Sequence, residues 1–487
     1  MQTWRLIFLR KRGARTGFTC KPWFITRKIQ TGKYIEYFKG GRKLILSETE
    51  AKNLLTKVLS HSKADSASAT LEGGNTYNIR FARNSISTNG FADGLSVSIT
   101  SSFGKRSGSV STNKFDDEAI KEAVKRSEDI ARVSPENKEF MPPLGPQTYV
   151  TATNYSESTA NLSGTERSDK AAYVIEQSIA NDVTSAGYME DGVSFYAMQN
   201  SNGLFAYNKS SMAKLSSTIR TNDGTGSGRF EKNFVDVNRI NGKSLADWAI
   251  NRSKLSVNPR EIKPGRYTVI LEHAAAADML SLCMNYMGSR WADEGRSFFS
   301  KKGGGTIIGE TIADSKLNIY SDPNDPIAPS WPFSGSGEPQ EKITWFENGK
   351  LMNLHRNRFW AEKTSQPAVP YPGNVIMQGG TKTVDEMIAE SDNAILVTRF
   401  WYIRAVDPRT MLFTGLTRDG VFEVKDGKIT GPVKNFRFNE SPMNIFKNII
   451  ELGTPEKSVG SETDDYPIVV PAIKAANFNF SSLSDAI

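Results

Sequence analysis

The stretch that most limits what this chain can become is Leu396 to Pro432, LVTRFWYIRAVDPRTMLFTGLTRDGVFEVKDGKITGP. Alternation runs through Phe400, Tyr402, Arg404 and Val406 and stops at Asp407-Pro408. A second alternating run covers Met411 to Leu416, and a third, Val421 to Val424, ends at Asp426-Gly427. A period of two punctuated by Asp-Pro and Asp-Gly predicts short antiparallel strands joined by tight turns.

At 487 residues, 38% hydrophobic and 23% charged, the chain has material for roughly two or three globular domains. Its net charge of +8 is unevenly spread. Residues 1–44 hold 12 Lys/Arg against the single acid Glu36, a local +11 that leaves about −3 for the rest. The body is therefore not basic, and a nucleic-acid groove has no electrostatic footing there. The head is expected to be a disordered extension over 1–47, with a basic arm or an organelle-targeting segment as alternatives. A secretory signal is not expected, because Leu6 to Leu9 is short for an apolar core and Arg10-Lys11-Arg12 follows at once. No apolar run reaches the ~18 residues of a spanning helix, so no membrane role is expected. Two cysteines, Cys20 and Cys283, imply no disulfide framework and suit a reducing compartment, the cytoplasm.

Along the body, Ser47-Glu48-Thr49-Glu50 predicts a capped helix to Leu59. Alternation over Ser66–Glu72 and Tyr77–Phe81, split by Gly73-Gly74-Asn75, predicts a hairpin. Strands at Leu95–Thr100 and Gly108–Ser111 precede a helix opened by Asp116-Asp117-Glu118. The Pro-rich segment Pro135–Pro146 reads as a linker. A helix over Ser168–Asn181, strands at Val193–Met198, Leu204–Asn208 and Met212–Ile219, a flexible loop over Thr221–Arg229 and a helix over Leu245–Leu255 follow. Tyr267–Glu272 is a strand leading into a helix from His273. The expected fold is α+β, antiparallel and mixed sheets with flanking helices in two main lobes. Its divisions are 48–140, 141–260, 261–455 and a loosely packed polar tail, 456–487.

The string FWYIRAVDPRTMLFTGLTRDGVFEVKDGKITGPVKNFRFNES resembles the C-terminal domain of the TldD/PmbA (TldD/TldE) family, and the resemblance extends over about residues 48–455. It marks Arg399, Tyr402, Arg404, Asp407, Gly415, Arg418 and Gly420 as family-motif positions. It implies dimers in which a TldD-type subunit holds zinc and a TldE-type subunit completes the passage for extended peptides. In zinc-bearing members the strand corresponding to residues 267–272 leads into a helix with His-Glu-x-x-x-His, where two His hold zinc and the Glu acts as general base. Here the segment reads Glu272-His273-Ala274-Ala275-Ala276-Ala277-Asp278. The Glu precedes the His, the second His is missing, and four alanines offer no lone pair. The family's C-terminal cysteine ligand also has no counterpart in residues 442–460.

Glu272, His273, Asp278 and Cys283 remain as weak metal-ligand candidates. His273 and Asp278 lie about 140° apart round a helix, and the other histidines are His61 and His355. A Gly-x-Ser-x-Gly near-match at Phe333–Gly337 lies in a Pro-rich loop, not at a nucleophile elbow. Gly303-Gly304-Gly305 lacks the Lys-Ser/Thr of a phosphate loop. The arginines at 399, 404, 409 and 418 could face a peptide carboxylate or a partner subunit, or pair with Asp407 and Asp419. The expected function is that of a TldE/PmbA-like subunit without its own cofactor, paired with a zinc-bearing TldD-type homologue or with itself and acting on extended peptides. The alternatives are a non-catalytic homodimeric peptide-binding scaffold and a peptidase with an unusual metal set on His273.

Overall fold

The computed structural model of the protein describes residues 44–485. The readings of the basic head and of Cys20 fall outside these residues, except that 44–47 are folded. Leu44, Ile45 and Leu46 pack on a core, and the Leu46 carbonyl accepts the Tyr207 hydroxyl at 2.8 Å.

The first lobe is one antiparallel sheet of six strands in the order β3-β2-β1-β4-β5-β6. These are β1 (Ser66–Ala82), β2 (Ser85–Phe103), β3 (Arg106–Thr112), β4 (Val183–Asn200), β5 (Phe205–Thr221) and β6 (Ser227–Phe234). The expected divisions 48–140 and 141–260 thus share a single sheet through the pairing of β1 with β4. Helices α1 (Glu48–Leu59), α2 (Asp117–Val133), α3 (Gly164–Ala180) and α4 (Gly242–Leu255) pack against it. Leu71 and Ile79 have the same parity on β1 and belong to the cores under α1–α2 and α3–α4 respectively, so one face carries all four helices. The other face carries hydroxyl pairs such as Ser98–Ser111 at 2.7 Å and Thr100–Ser109 at 2.8 Å. Ser47 and Glu50 close a full capping box on α1.

Gly73-Gly74 is not a turn. β1 runs straight through it. A Cβ at Gly73 would lie 2.3 Å from the Leu44 carbonyl oxygen and 2.4 Å from the Phe195 ring, and one at Gly74 would lie 2.8 Å from the Val193 oxygen. These glycines permit close approach within a sheet, a demand the local pattern cannot distinguish from a turn. The expected strands 204–208 and 212–219 likewise merge into β5, and Ser227–Arg229, read as loop, begin β6.

The second lobe is a mixed sheet. Its strands are β7 (Gly265–Leu271), β8 (Ile319–Ser321), β9 (Ile343–Glu347), β10 (Lys350–Leu351), β11 (Val375–Met377), β12 (Asn393–Asp407), β13 (Leu412–Lys425), β14 (Lys428–Pro432), β15 (Phe436–Glu440), β16 (Ile449–Lys457) and β17 (Ile468–Leu483). Five of them, in the order β17-β15-β13-β12-β7, close on themselves because β7 also pairs with β17. Phe400, Phe436, Phe438, Phe478 and Phe480 are buried in the core they enclose, and the Phe400 and Phe478 rings stack at 5.7 Å. Helix α5 (His273–Asn285) follows β7.

The loosely packed tail is overturned. β17 pairs with β7, β11, β15 and β16, and Ile468 to Ala475 are buried. The polar loop before it, with Glu462, Asp464 and Asp465, conceals an apolar strand that closes the barrel.

Candidate functional site

The strand-to-helix junction at Glu272 is fixed by the mixed sheet. β7 runs parallel to β12, pairing Leu271 with Val397, and the Glu272 N–H donates to the Val397 carbonyl at 3.0 Å. Glu272 has extended backbone and caps α5 without a side-chain bond to it. Its carboxylate points instead at α4, where the Arg252 guanidinium binds it, and both residues are more than nine-tenths buried. The Arg252 Nε has no hydrogen-bond partner among the described residues. His273 Nε2 meets the Thr454 carbonyl oxygen at 3.0 Å. Ala275, Ala276 and Ala277 are buried in the core, where small side chains let α5 approach the barrel strands.

Asp278 faces another way. Its Oδ1 accepts the Glu462 N–H at 2.7 Å and its Oδ2 accepts the Ser461 hydroxyl at 3.2 Å. Burial pushes its carboxyl up to about 7, against the pull of those bonds and of Arg399. Cys283 is sealed in the core with its Sγ 3.9 Å from Met443 Sδ, and burial pushes the thiol up to about 12. A zinc site needs three or four donors converging on one point. Among the described residues no three His, Cys, Asp or Glu side chains do so. Glu272 is committed to Arg252, Asp278 to the 461–462 loop and Cys283 to the core, so this donor set does not fit the metal.

The family-motif positions divide into two roles. Arg399 Nη1 donates to Asp419 Oδ2 at 2.8 Å, and Asp419 Oδ1 accepts the Ser227 hydroxyl at 2.6 Å, which ties β12 and β13 to β6 of the other lobe. Gly420 has φ +132°, and the Thr398 hydroxyl lies 3.0 Å from its carbonyl oxygen. Gly415 leaves room for the Phe438 ring, which a Cβ would meet at 2.6 Å. Those three positions build the scaffold. Asp407 holds its own turn by accepting from Thr410 and Arg409, bonds that keep its carboxyl low, and does not pair with an arginine. Arg404 lies 4.3 Å over the Tyr402 ring and 3.6 Å from Glu462, and Arg418 lies 4.0 Å over Trp401. Tyr402 is exposed at φ +55°.

A cavity of about 680 Å³ opens at this junction, lined by Arg229, Trp248, Arg252, Glu272, His273 and Lys382 among others. A smaller one of about 220 Å³, lined by Lys214, Arg399 and Trp401, shares Arg229, Glu231, Ala274 and Val459 with it. Together they form a cleft between the lobes. Lys214 pairs with Glu231 at 2.8 Å between neighbouring strands of one wall, and Lys232 pairs with Glu456 at 3.0 Å across the cleft. The volume lies in the range of ligand pockets. Arg252, Lys214, Glu231 and Lys382 belong to no motif in the sequence; the partner of Arg252 lies 20 positions away and one partner of Lys214 lies 251 away, separations that leave no local signal.

A closed mixed barrel joined to a helix-backed antiparallel sheet, with a charged cleft between them, defines a two-lobed α+β protein. The PmbA/TldA metallopeptidase domain 1 model matches residues 67–131, and the PmbA/TldA metallopeptidase C-terminal domain model matches residues 264–482. The chain belongs to the TldD/PmbA family. No curated protein matches it. Three solved structures share the fold. TldE from Thermococcus kodakarensis has a TM-score of 0.79 at 16% identity, covering 89% of this chain and 100% of its own. A candidate modulator of DNA gyrase from Bacteroides thetaiotaomicron has 0.77 at 19%, covering 89% and 98%. One from Thermotoga maritima has 0.76 at 16%, covering 88% and 100%. The match through residue 482 agrees with β17 belonging to the barrel.

Proposed function

We propose that this chain is a TldE/PmbA-like subunit that carries no zinc and pairs with a zinc-bearing TldD-type homologue. In the pair it shapes the passage by which extended or unfolded peptides reach the partner's metal. The observation that carries this reading is the commitment of Glu272 to Arg252 at the junction where zinc-bearing relatives place their ligands. A carboxylate engaged in a buried ion pair is not free to act as a general base.

The cleft supports the reading from the other side. It keeps a ligand-sized volume at the junction without converging metal donors. The outer edge of β2 adds a second feature, because β3 pairs with it only from Val97 onward while β1 pairs with it from Ser85. An open edge of this kind accepts an extended backbone with little demand on side-chain sequence.

Adding this chain to a TldD-type zinc subunit is expected to raise cleavage of an unfolded peptide above the rate of that subunit alone. Equal rates with and without the chain, at concentrations where the two copurify, would sink the proposal.

A further inference from the structure

A second cavity, of about 470 Å³, is lined by residues of β5 and β6, the 329–340 loop and the 371–373 segment. Its wall holds an unusual number of unsatisfied polar atoms. Asn154, Asn233 and Ser330 are each at most 4% exposed, and Asn154 Oδ1, Asn233 Oδ1 and Ser330 Oγ have no hydrogen-bond partner among the described residues. The Asn233 amide is held in one orientation, since its Nδ2 donates to Asp465 Oδ1 at 3.2 Å. Leaving one such group bare costs about 1–3 kcal/mol, and native proteins do so rarely. Three round one cavity mark a site poised for a ligand.

Lys457 lines the same cavity at 7% exposure. Among the described residues no carboxylate forms an ion pair with it, and its Nζ lies 5.6 Å over the Phe234 ring. Burial lowers its pKa to about 8, with Arg239 adding to the effect and Asp465 and Asp325 opposing it. Asp465 is itself engaged by Lys214 at 3.0 Å, which offsets its repulsion of an incoming anion. Trp331, Phe333 and Tyr371 supply apolar ring surface.

The donors and acceptors specify the ligand. Two amide oxygens need N–H donors, a buried ammonium needs an anion, and the rings need an apolar group. We propose that this cavity captures the C-terminal end of a peptide, with the carboxylate on Lys457, backbone N–H groups on Asn154 and Asn233, and an apolar last side chain against Trp331 and Tyr371. The site is separate from the cleft at Glu272 and does not depend on the zinc-partner reading.

The test is calorimetric titration of the full chain with N-acetyl-Ala-Phe, with its C-terminal amide, and with an octapeptide ending in the same two residues. Saturable binding of the acid and the octapeptide is expected, weakened about tenfold or more for the amide and for Lys457→Met, the size of a lost charged hydrogen bond. No saturable binding, or equal binding of acid and amide, would overturn the proposal. Binding of the dipeptide without the octapeptide would overturn the assignment to a peptide end. Should Lys457→Met fail to fold, the acid-against-amide comparison on the unaltered chain decides the matter alone.

Discussion

Replacing Glu272 by Ala is expected to destabilise the protein by about 3–5 kcal/mol, the cost of leaving one half of a buried ion pair uncompensated. Arg252 is 8% exposed and Glu272 5%. Among the described residues the Nε of Arg252 already lacks a hydrogen-bond partner, so without the carboxylate its charge has no acidic partner in the wall between α4 and β7. The rings of Trp248 and Phe422, 5.4 and 5.7 Å from the guanidinium, recover only part of that cost. Removing both charges has a different outcome. A Glu272→Leu, Arg252→Met double variant replaces the pair by apolar groups of similar volume, a change that is often neutral or stabilising. Urea unfolding of Glu272→Leu alone, Arg252→Met alone and the double should therefore show the double as the most stable of the three. A double variant that loses the sum of the single losses would mean that Glu272 and Arg252 act independently and that the junction is held by something else.

Asp278→Asn is expected to stabilise the protein at pH 8 and to have little effect at pH 4. The carboxyl is pushed up to about 7 in the fold by burial, from an ordinary value of 3.8. A group with a raised folded pKa contributes stability that is fully present below pH 3.8 and is lost as the pH rises through 7. The cost of ionising Asp278 in place therefore grows between about pH 4 and pH 7 and is constant above that. At 1.36 kcal/mol per pH unit it reaches at most about 4 kcal/mol. Asn keeps the Oδ1 that accepts from Glu462 and supplies an N–H for the Ser461 hydroxyl, so the bonds at 2.7 and 3.2 Å have replacements. Gly460, where a Cβ would lie 2.3 Å from Asp278 Oδ1, leaves space only for a side chain of this size. Thermal unfolding of both proteins from pH 4 to pH 8 checks it. Parallel curves would show that Asp278 is ionised throughout.

The elements that could be read from sequence are those whose signals are local. Ser47 with Glu50 announces α1, Asp116 caps α2 with its side chain on the Ala119 N–H at 2.9 Å, and Asp426-Gly427 turns β13 into β14. The β7-to-α5 junction was legible too, because an apolar strand gives way to an alanine run at one residue. What failed depended on distant neighbours. Gly73 is glycine because Leu44 and Phe195 crowd it, and β17 is a barrel strand because β7, β11, β15 and β16 surround it. The cleft was invisible for the same reason. Chemical type alone makes Glu272 a candidate metal ligand, and its partner is an arginine on a helix of the other lobe. Of the four arginines considered together, only Arg399 pairs with Asp419 as one of the sequence readings had it, while Arg418 lies on Trp401 and Asp407 is used by its own turn.

We propose that this chain has no zinc of its own and works through a partner that does. Metal analysis of the full chain, purified alone without a metal-binding tag, tests it most directly. Zinc far below one ion per chain is the expected result. Near-stoichiometric zinc, retained through dialysis and lost in His273→Ala, would contradict the proposal and show a metal site built on His273.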